Sequence, residues 1–185
     1  MTDRPERGGG EPRPLHRSLA GVERVIDTIS AVIMCTTLVS MFAALLVNVI
    51  LRYVFGAGLV WAYEIHAILF PWLIAGGVVM ATARGSNIAV TLISDVLSGL
   101  AKRIVVILVD IAVLVVAVQV VWTARPIIRA AGFQRLAELG VSQWWGYQSL
   151  NYAFGGIAIL SVLALVRHLT GEPLSQGDPA RASIS

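Results

Sequence analysis

The sequence predicts an all-α membrane protein: four transmembrane helices, with interfacial amphipathic helices before the first span and between spans two and three. Three observations predict it. Of 185 residues, 57% are hydrophobic and only 14% charged, against about 25% charged in a soluble domain. Such a chain lacks the polar groups to coat a water-facing surface, which argues against a soluble enzyme, a disordered regulator or a secreted scaffold. The apolar residues gather into four runs, each long enough to cross a hydrocarbon core about 30 Å thick as a helix rising about 1.5 Å per residue. None alternates as barrel strands do. The 14 Lys and Arg residues, for a net charge of +3, form no stripe for nucleic acid but sit in short clusters between the runs.

The elements follow in order. Residues 1–14 are Gly, Pro and Arg with almost nothing to bury, and read as a disordered tail. Residues 15–170 read as one membrane domain. From Leu15 the pattern turns helical. Leu15, Leu19, Val22 and Ile26 share a face, with Arg17, Glu23, Arg24 and Asp27 around the rest of the wheel. That predicts a short helix lying on the membrane surface. The first span, about 28–51, contains no Asp, Glu, Lys or Arg. It is too long for a signal-peptide core and is expected to be retained. The second, about 61–83, opens on Trp61 and includes Glu64, Pro71, Trp72 and the Gly76-Gly77 pair. Pro71 predicts a kink and the glycine pair a close helix approach.

Between spans two and three, Ile88, Leu92, Ile93, Val96, Leu97 and Leu100 make one apolar stripe. An interfacial helix over about 87–101 would either seat a partner or rest on lipid. The third span, about 104–124, is interrupted only by Asp110; the fourth covers about 145–166. Residues 171–185 return to polar, disordered composition, and the tail is expected to end the chain there.

Orientation follows from charge and aromatics. Ten of the 14 basic residues fall in the N-terminal tail (Arg4, Arg7, Arg13, Arg17, Arg24), the second loop (Arg84, Lys102, Arg103) and the C-terminal tail (Arg167, Arg181). The positive-inside rule then places both termini in the cytoplasm. Tyr53, Trp61, Tyr63, Trp122, Trp144, Trp145 and Tyr147 cluster at the opposite ends of the spans, as an interfacial belt would.

Charges within the spans are the first functional candidates. Asp110 lies about seven residues, so roughly 10 Å, inside the third span. Asp is too short to reach the surface from there. It is expected to face another helix, a partner or a pocket, as a structural hydrogen bond or ion pair or as a proton or cation site. Arg52 and Glu64 flank a short outer connection, so they are expected to pair with each other or to contact a partner. The histidines are poorly placed as haem ligands. His66 lies near the outer boundary, while His16 and His168 lie on the inner side, too far away to share one iron. A haem- or quinone-binding oxidoreductase subunit and a small four-span exporter are the alternatives. An exporter of that type would use an acidic residue in its first span, and here Asn48 is the most polar side chain. Cys35 is the single cysteine, so no internal disulfide forms.

One block of sequence goes further. Asn48-Val49-Ile50-Leu51-Arg52-Tyr53-Val54-Phe55 is followed by Trp61-Ala62-Tyr63-Glu64, then Trp72 and Gly76, then Arg84-Gly85-Ser86-Asn87-Ile88-Ala89-Val90. In order, spacing and topology this resembles the small permease subunit of TRAP (tripartite ATP-independent periplasmic) transporters. The family often has His and Asp where this chain has Asn87 and Thr91. Asn can hydrogen-bond or cap but cannot titrate.

The resemblance implies a non-enzymatic subunit in the bacterial inner membrane. It implies a large multi-spanning partner that carries substrate and sodium, and a periplasmic substrate-binding protein that delivers small organic acids. It implies no cofactor on this chain, sodium belonging to the large subunit. Asn48, Arg52, Tyr53, Trp61, Glu64, Trp72, Arg84, Asn87 and Asp110 are the candidates for subunit contact or structural support.

Overall fold

A computed structural model describes the backbone of residues 14–96 and 100–170, and side chains within 19–85, 100–101 and 103–170. Of the two tails expected to be disordered, 1–14 and 171–185, all but Pro14 lie outside the described residues; Pro14 is the first residue of a helix. The described residues form four helices: α1 (Pro14–Phe55), α2 (Trp61–Val96), α3 (Leu100–Ala131) and α4 (Trp144–Leu169). Each contains a segment long and apolar enough to cross a membrane. The all-α, four-span architecture is as the sequence predicts.

The two amphipathic stretches are helical but not separate elements. Residues 15–27 are the opening turns of α1; of the stretch expected over 87–101, residues 87–96 are the closing turns of α2, 97–99 lie outside the described residues, and 100–101 open α3. No proline interrupts either junction, and an established helix propagates more readily than a new one nucleates. At about 1.5 Å per residue, the 42-residue α1 is about 63 Å long, twice the hydrocarbon thickness. The surplus lies at the end where α1 begins and α4 finishes, here called the near end. The connections 56–60 and 132–143 form the far end.

The helices stand in an open row, α1–α2–α4–α3. α1 packs on α2, α2 on α4 and α4 on α3; among the described residues α1 and α3 do not meet. Each outer helix therefore buries only one seam. On α1 this seam is Glu23, Asp27, Ser30, Met34, Thr37, Met41, Ala44, Asn48 and Leu51, spaced alternately by four and three. On α3 it is Val106, Asp110, Ala117, Ala124, Ile128 and Ala131. Most of the other described residues of both helices, including Val39 (66% exposed) and Val116 (57%), face outward. Water would not tolerate that surface; lipid or another helix does.

Small residues set the spacing between helices. A Cβ on Gly76 would stand 2.9 Å from the Ser30 carbonyl oxygen and 3.1 Å from the Met34 nitrogen of α1. Gly76 thus lets the α1 and α2 backbones touch, the role expected of the glycine pair. Gly77 faces only the Met34 sulfur at 3.7 Å. α4 meets α2 through Gly146, Ser149, Ala153, Gly156 and Leu160, another four-three series. Val79 is fully buried against this seam. α2 continues as helix through Pro71.

The far-end connections are tightly built. α1 ends at Gly56, whose φ of +71° suits a residue without a Cβ. In the second connection Gly140 turns the chain at φ +62°, and an isolated bridge joins Arg135 to Ser142. The Ser142 hydroxyl serves both neighbouring helices. It donates to the Ala131 and Gly132 carbonyls at the end of α3 (3.2 Å each) and accepts from the Trp144 amide at the start of α4 (3.2 Å).

Candidate functional site

The row can be divided into two hairpins, α1–α2 and α3–α4, joined along α2–α4. The polar residues divide accordingly into those that close a hairpin and those that cross between hairpins.

At the far end, Asn48 is 4% exposed and its Oδ1 accepts the Leu59 amide at 2.6 Å. This one side chain fixes the 56–60 connection to α1. Arg52 lies along the same connection, its Cβ and Cδ beside Gly58. The expected Arg52–Glu64 pair does not form. Glu64 points to the other hairpin, where its carboxylate accepts the Glu138 amide (3.0 and 3.1 Å) and the Leu139 amide (2.9 Å). Two rigid backbone donors hold a carboxylate without ordering a long Arg side chain, whose lost rotamer freedom costs about 1.5–2 kcal/mol. Arg52 is left exposed.

Trp72, one of the candidates, also crosses between the hairpins. Its Nε1 donates to the Trp145 carbonyl at 2.8 Å, and its ring packs 5.7 Å from that of Tyr152. Tyr152 in turn reaches α1. The Ser30 hydroxyl donates its proton to the Ile26 carbonyl (2.8 Å), so the Tyr152 hydroxyl is the donor in the 2.8 Å Ser30–Tyr152 bond. Tyr53 (85% exposed) and Trp61 (37%) stand at the far-end surface. Trp122 joins them there, with the Arg125 guanidinium 4.3 Å above its ring.

The near end is joined by charge. Arg84 Nε and Nη2 grip both oxygens of Asp27 at 2.8 and 3.1 Å, closing the α1–α2 hairpin. Asp110 faces α4, its Oδ2 accepting from His168 Nδ1 at 3.0 Å. Arg103 Nη2 donates to the His168 carbonyl at 3.0 Å and lies 3.4 Å from that of Leu169, capping the last turn of α4. Arg167 pairs with Glu23 at 2.8 Å and ties α4 to α1. Asn87 lies in the α2 backbone, and its side chain is outside the described residues.

None of the contacts of Glu23, Arg167, Ser30 and Arg103 was anticipated from sequence: Glu23 and Asp27 read only as polar-face residues, and Arg103 and Arg167 only as charges that set the orientation. One signal was available: Glu23 and Asp27 are four apart on one face, at the depth of Arg84 and Arg167. The Glu64 partner had no such signal, because backbone amides carry no letter.

His66 and His168 stand at opposite ends of the row. His66 Nδ1 bonds to its own helix at the Ala62 carbonyl (2.6 Å). Among the described residues, no group of three or more His, Cys, Asp or Glu could hold a metal.

A row of four apolar helices, pinned by polar contacts at both ends, defines a multi-pass membrane protein. Comparison with known proteins makes this specific. Residues 41–171 match the family of tripartite ATP-independent periplasmic transporters, DctQ component. The chain belongs to that family and is a component of a transporter. It is 25% identical over 138 residues to the sialic acid TRAP transporter small permease protein SiaQ of Vibrio cholerae, covering 74% of this chain and 78% of that one. It is 23% identical over 126 residues to a TRAP transporter small permease protein of Haemophilus influenzae, covering 68% and 76%. An uncharacterized Sinorhizobium fredii protein, y4mM, is 28% identical over 123 residues; the match covers 66% of this chain and 23% of that longer one.

Proposed function

We propose that this chain is the scaffold subunit of a sodium-gradient-driven importer of small organic acids. It braces the large multi-spanning transport subunit in the inner membrane and helps to dock the periplasmic substrate-binding protein. Sodium and substrate are bound by the partners, and the chain has no catalytic step or cofactor of its own. The near end lies in the cytoplasm and the far end in the periplasm, in keeping with the basic residues gathered at the near end.

The observation that carries this reading is the open row. A single layer of helices presents the widest lateral surface four spans can offer. Among the described residues, four polar contacts that cross between its hairpins hold that surface at fixed depth and shape: Glu64 to the 138–139 amides, Trp72 to Trp145, Tyr152 to Ser30 and Arg167 to Glu23. The organic-acid assignment is supported by the V. cholerae relative, whose name specifies sialic acid, a carboxylate.

The test is a mild-detergent pull-down of the tagged chain from its native membrane, followed by uptake of labelled organic acids with and without a sodium gradient. Recovery of one large multi-spanning partner in near-equal amount and sodium-dependent uptake are expected. Recovery of the chain alone would overturn the scaffold role. Arg52→Ala and Glu64→Ala should lower subunit recovery or uptake; no change in either variant would remove both residues from the site.

A further inference from the structure

Among the described residues, the outward surface of the spans is apolar apart from hydroxyls such as Thr36 and Ser40, which can bond to their own helix backbone, and one residue that lipid does not explain. Gln119 lies within the third span and is exposed. It sits two positions from Ala117, which is 1% exposed on the face packed against α4, so it points away from the protein's own helices. Among the described residues its amide makes no hydrogen bond. Trp122 and Arg125, one to two turns further along, mark the far-end boundary of the hydrocarbon. Helical side chains lean toward the helix N-terminus. Gln119 therefore leans into the hydrocarbon and away from that boundary, and cannot snorkel out. Thr123, one turn on and also exposed, can bond to its own helix backbone. A glutamine amide has no such option.

A second feature lies beside it. Ala112, Val113, Val116 and Ala117 of α3, with Phe154 and Ile157 of α4, line an apolar groove of about 280 Å³. Ala112, Val116, Gln119 and Thr123 follow one another at four, three and four residues, so the groove and the unpaired amide belong to one continuous stripe.

We propose that one transmembrane helix of the large subunit packs along this stripe, filling the α3–α4 groove with an apolar side chain and hydrogen-bonding Gln119. This deepens the scaffold reading and rests on it. Lipid tails can fill the groove but offer nothing to the amide. A second copy of the chain fits poorly, because a two-fold contact opposes groove to groove and leaves both unfilled. A foreign helix can bring a protrusion and a polar group together.

The test places a photo-crosslinking benzoylphenylalanine at position 116 and, separately, introduces Gln119→Leu, both in the full complex in native membranes. Illumination should give an adduct of the chain with the large subunit. Gln119→Leu should lower co-recovery of the large subunit about threefold or more, the scale of one interhelical hydrogen bond in a membrane. The level of the chain itself should hold, since leucine suits a lipid-facing position. Adducts between two copies of the chain would overturn the proposal. So would no adduct while the large subunit still co-purifies, or recovery by Gln119→Leu equal to wild type. Absence of the large subunit from the unmodified chain would instead overturn the scaffold reading, and this inference with it.

Discussion

Gly76 and Gly77 are adjacent, yet alanine should be harmful at one and harmless at the other. A Cβ at position 76 falls about half an ångström inside ordinary contact with the Ser30 carbonyl oxygen, and it also crowds the Met34 nitrogen. Both obstacles are α1 backbone, so no rotamer change relieves them. The α1 helix must retreat, loosening a seam that includes Met34, Thr37 and Met41. Overpacking of this kind costs about 1–3 kcal/mol. Alanine recovers about 1 kcal/mol through its greater helix preference, leaving a net loss of up to about 2 kcal/mol. At position 77 the nearest atom is the flexible Met34 sulfur at 3.7 Å. There only the helix preference remains, and stability should hold or rise. For a domain of this size 1 kcal/mol is about 2–4 °C in Tm. The helix preference is common to both variants, so Gly76→Ala should melt roughly 2–12 °C below Gly77→Ala when the detergent-solubilised proteins are heated and the folded fraction is read by size-exclusion chromatography. Equal melting temperatures, or the reverse order, would refute the close α1–α2 contact.

Three other outcomes are expected. Glu64→Ala frees the Glu138 and Leu139 amides; bonds to a charged acceptor are worth about 1.5–3 kcal/mol. Exchange at those amides, followed by mass spectrometry, should accelerate about tenfold or more, and unchanged exchange would mean that the carboxylate does not hold the loop. Trp72→Phe keeps a ring beside Tyr152 but loses the donor to Trp145. A Tm lower by about 2–4 °C is expected from a loss near 1 kcal/mol, and a Tm equal to wild type would show that the bond contributes nothing. Arg84→Asp sets two carboxylates together beside α1 and should reduce the monodisperse fraction in detergent. Adding Asp27→Arg should restore it, and failure of the double reversal to do so would mean that the pair is not what joins these helices.

The four spans were legible because their cause is local: a run of about 20 apolar residues crosses a bilayer whatever its neighbours do. Asp110 was legible in the same way, since a charge that deep requires a partner; that the partner is His168 was not, because the two stand 58 residues apart. Gly76 could be read as a close-approach residue but not matched to Ser30 and Met34. The order of the row was hidden as well. It depends on which of several apolar faces fit together, and leucine and valine look alike on all of them. Arg52 and Glu64 show the limit most clearly. Their charges and sequence proximity suggested a pair, and the choice went instead to amides whose position depends on how the 132–143 connection folds. The surface helices were expected from amphipathic patterning, which reports a polar and an apolar face but not whether the backbone bends between that stretch and the span.

The two-hairpin construction also bears on how the protein is made. Asp27–Arg84 and the Asn48 bond lie within α1–α2, and Asp110–His168 and the Arg103 bonds lie within α3–α4. Each half can close these links between neighbouring spans as it leaves the insertion machinery. Among the described residues, every polar link that crosses between the halves has one end in α4 or in the loop just before it. The first hairpin must wait in the bilayer, half assembled, until the last span arrives, and the order of synthesis thus becomes the order of assembly.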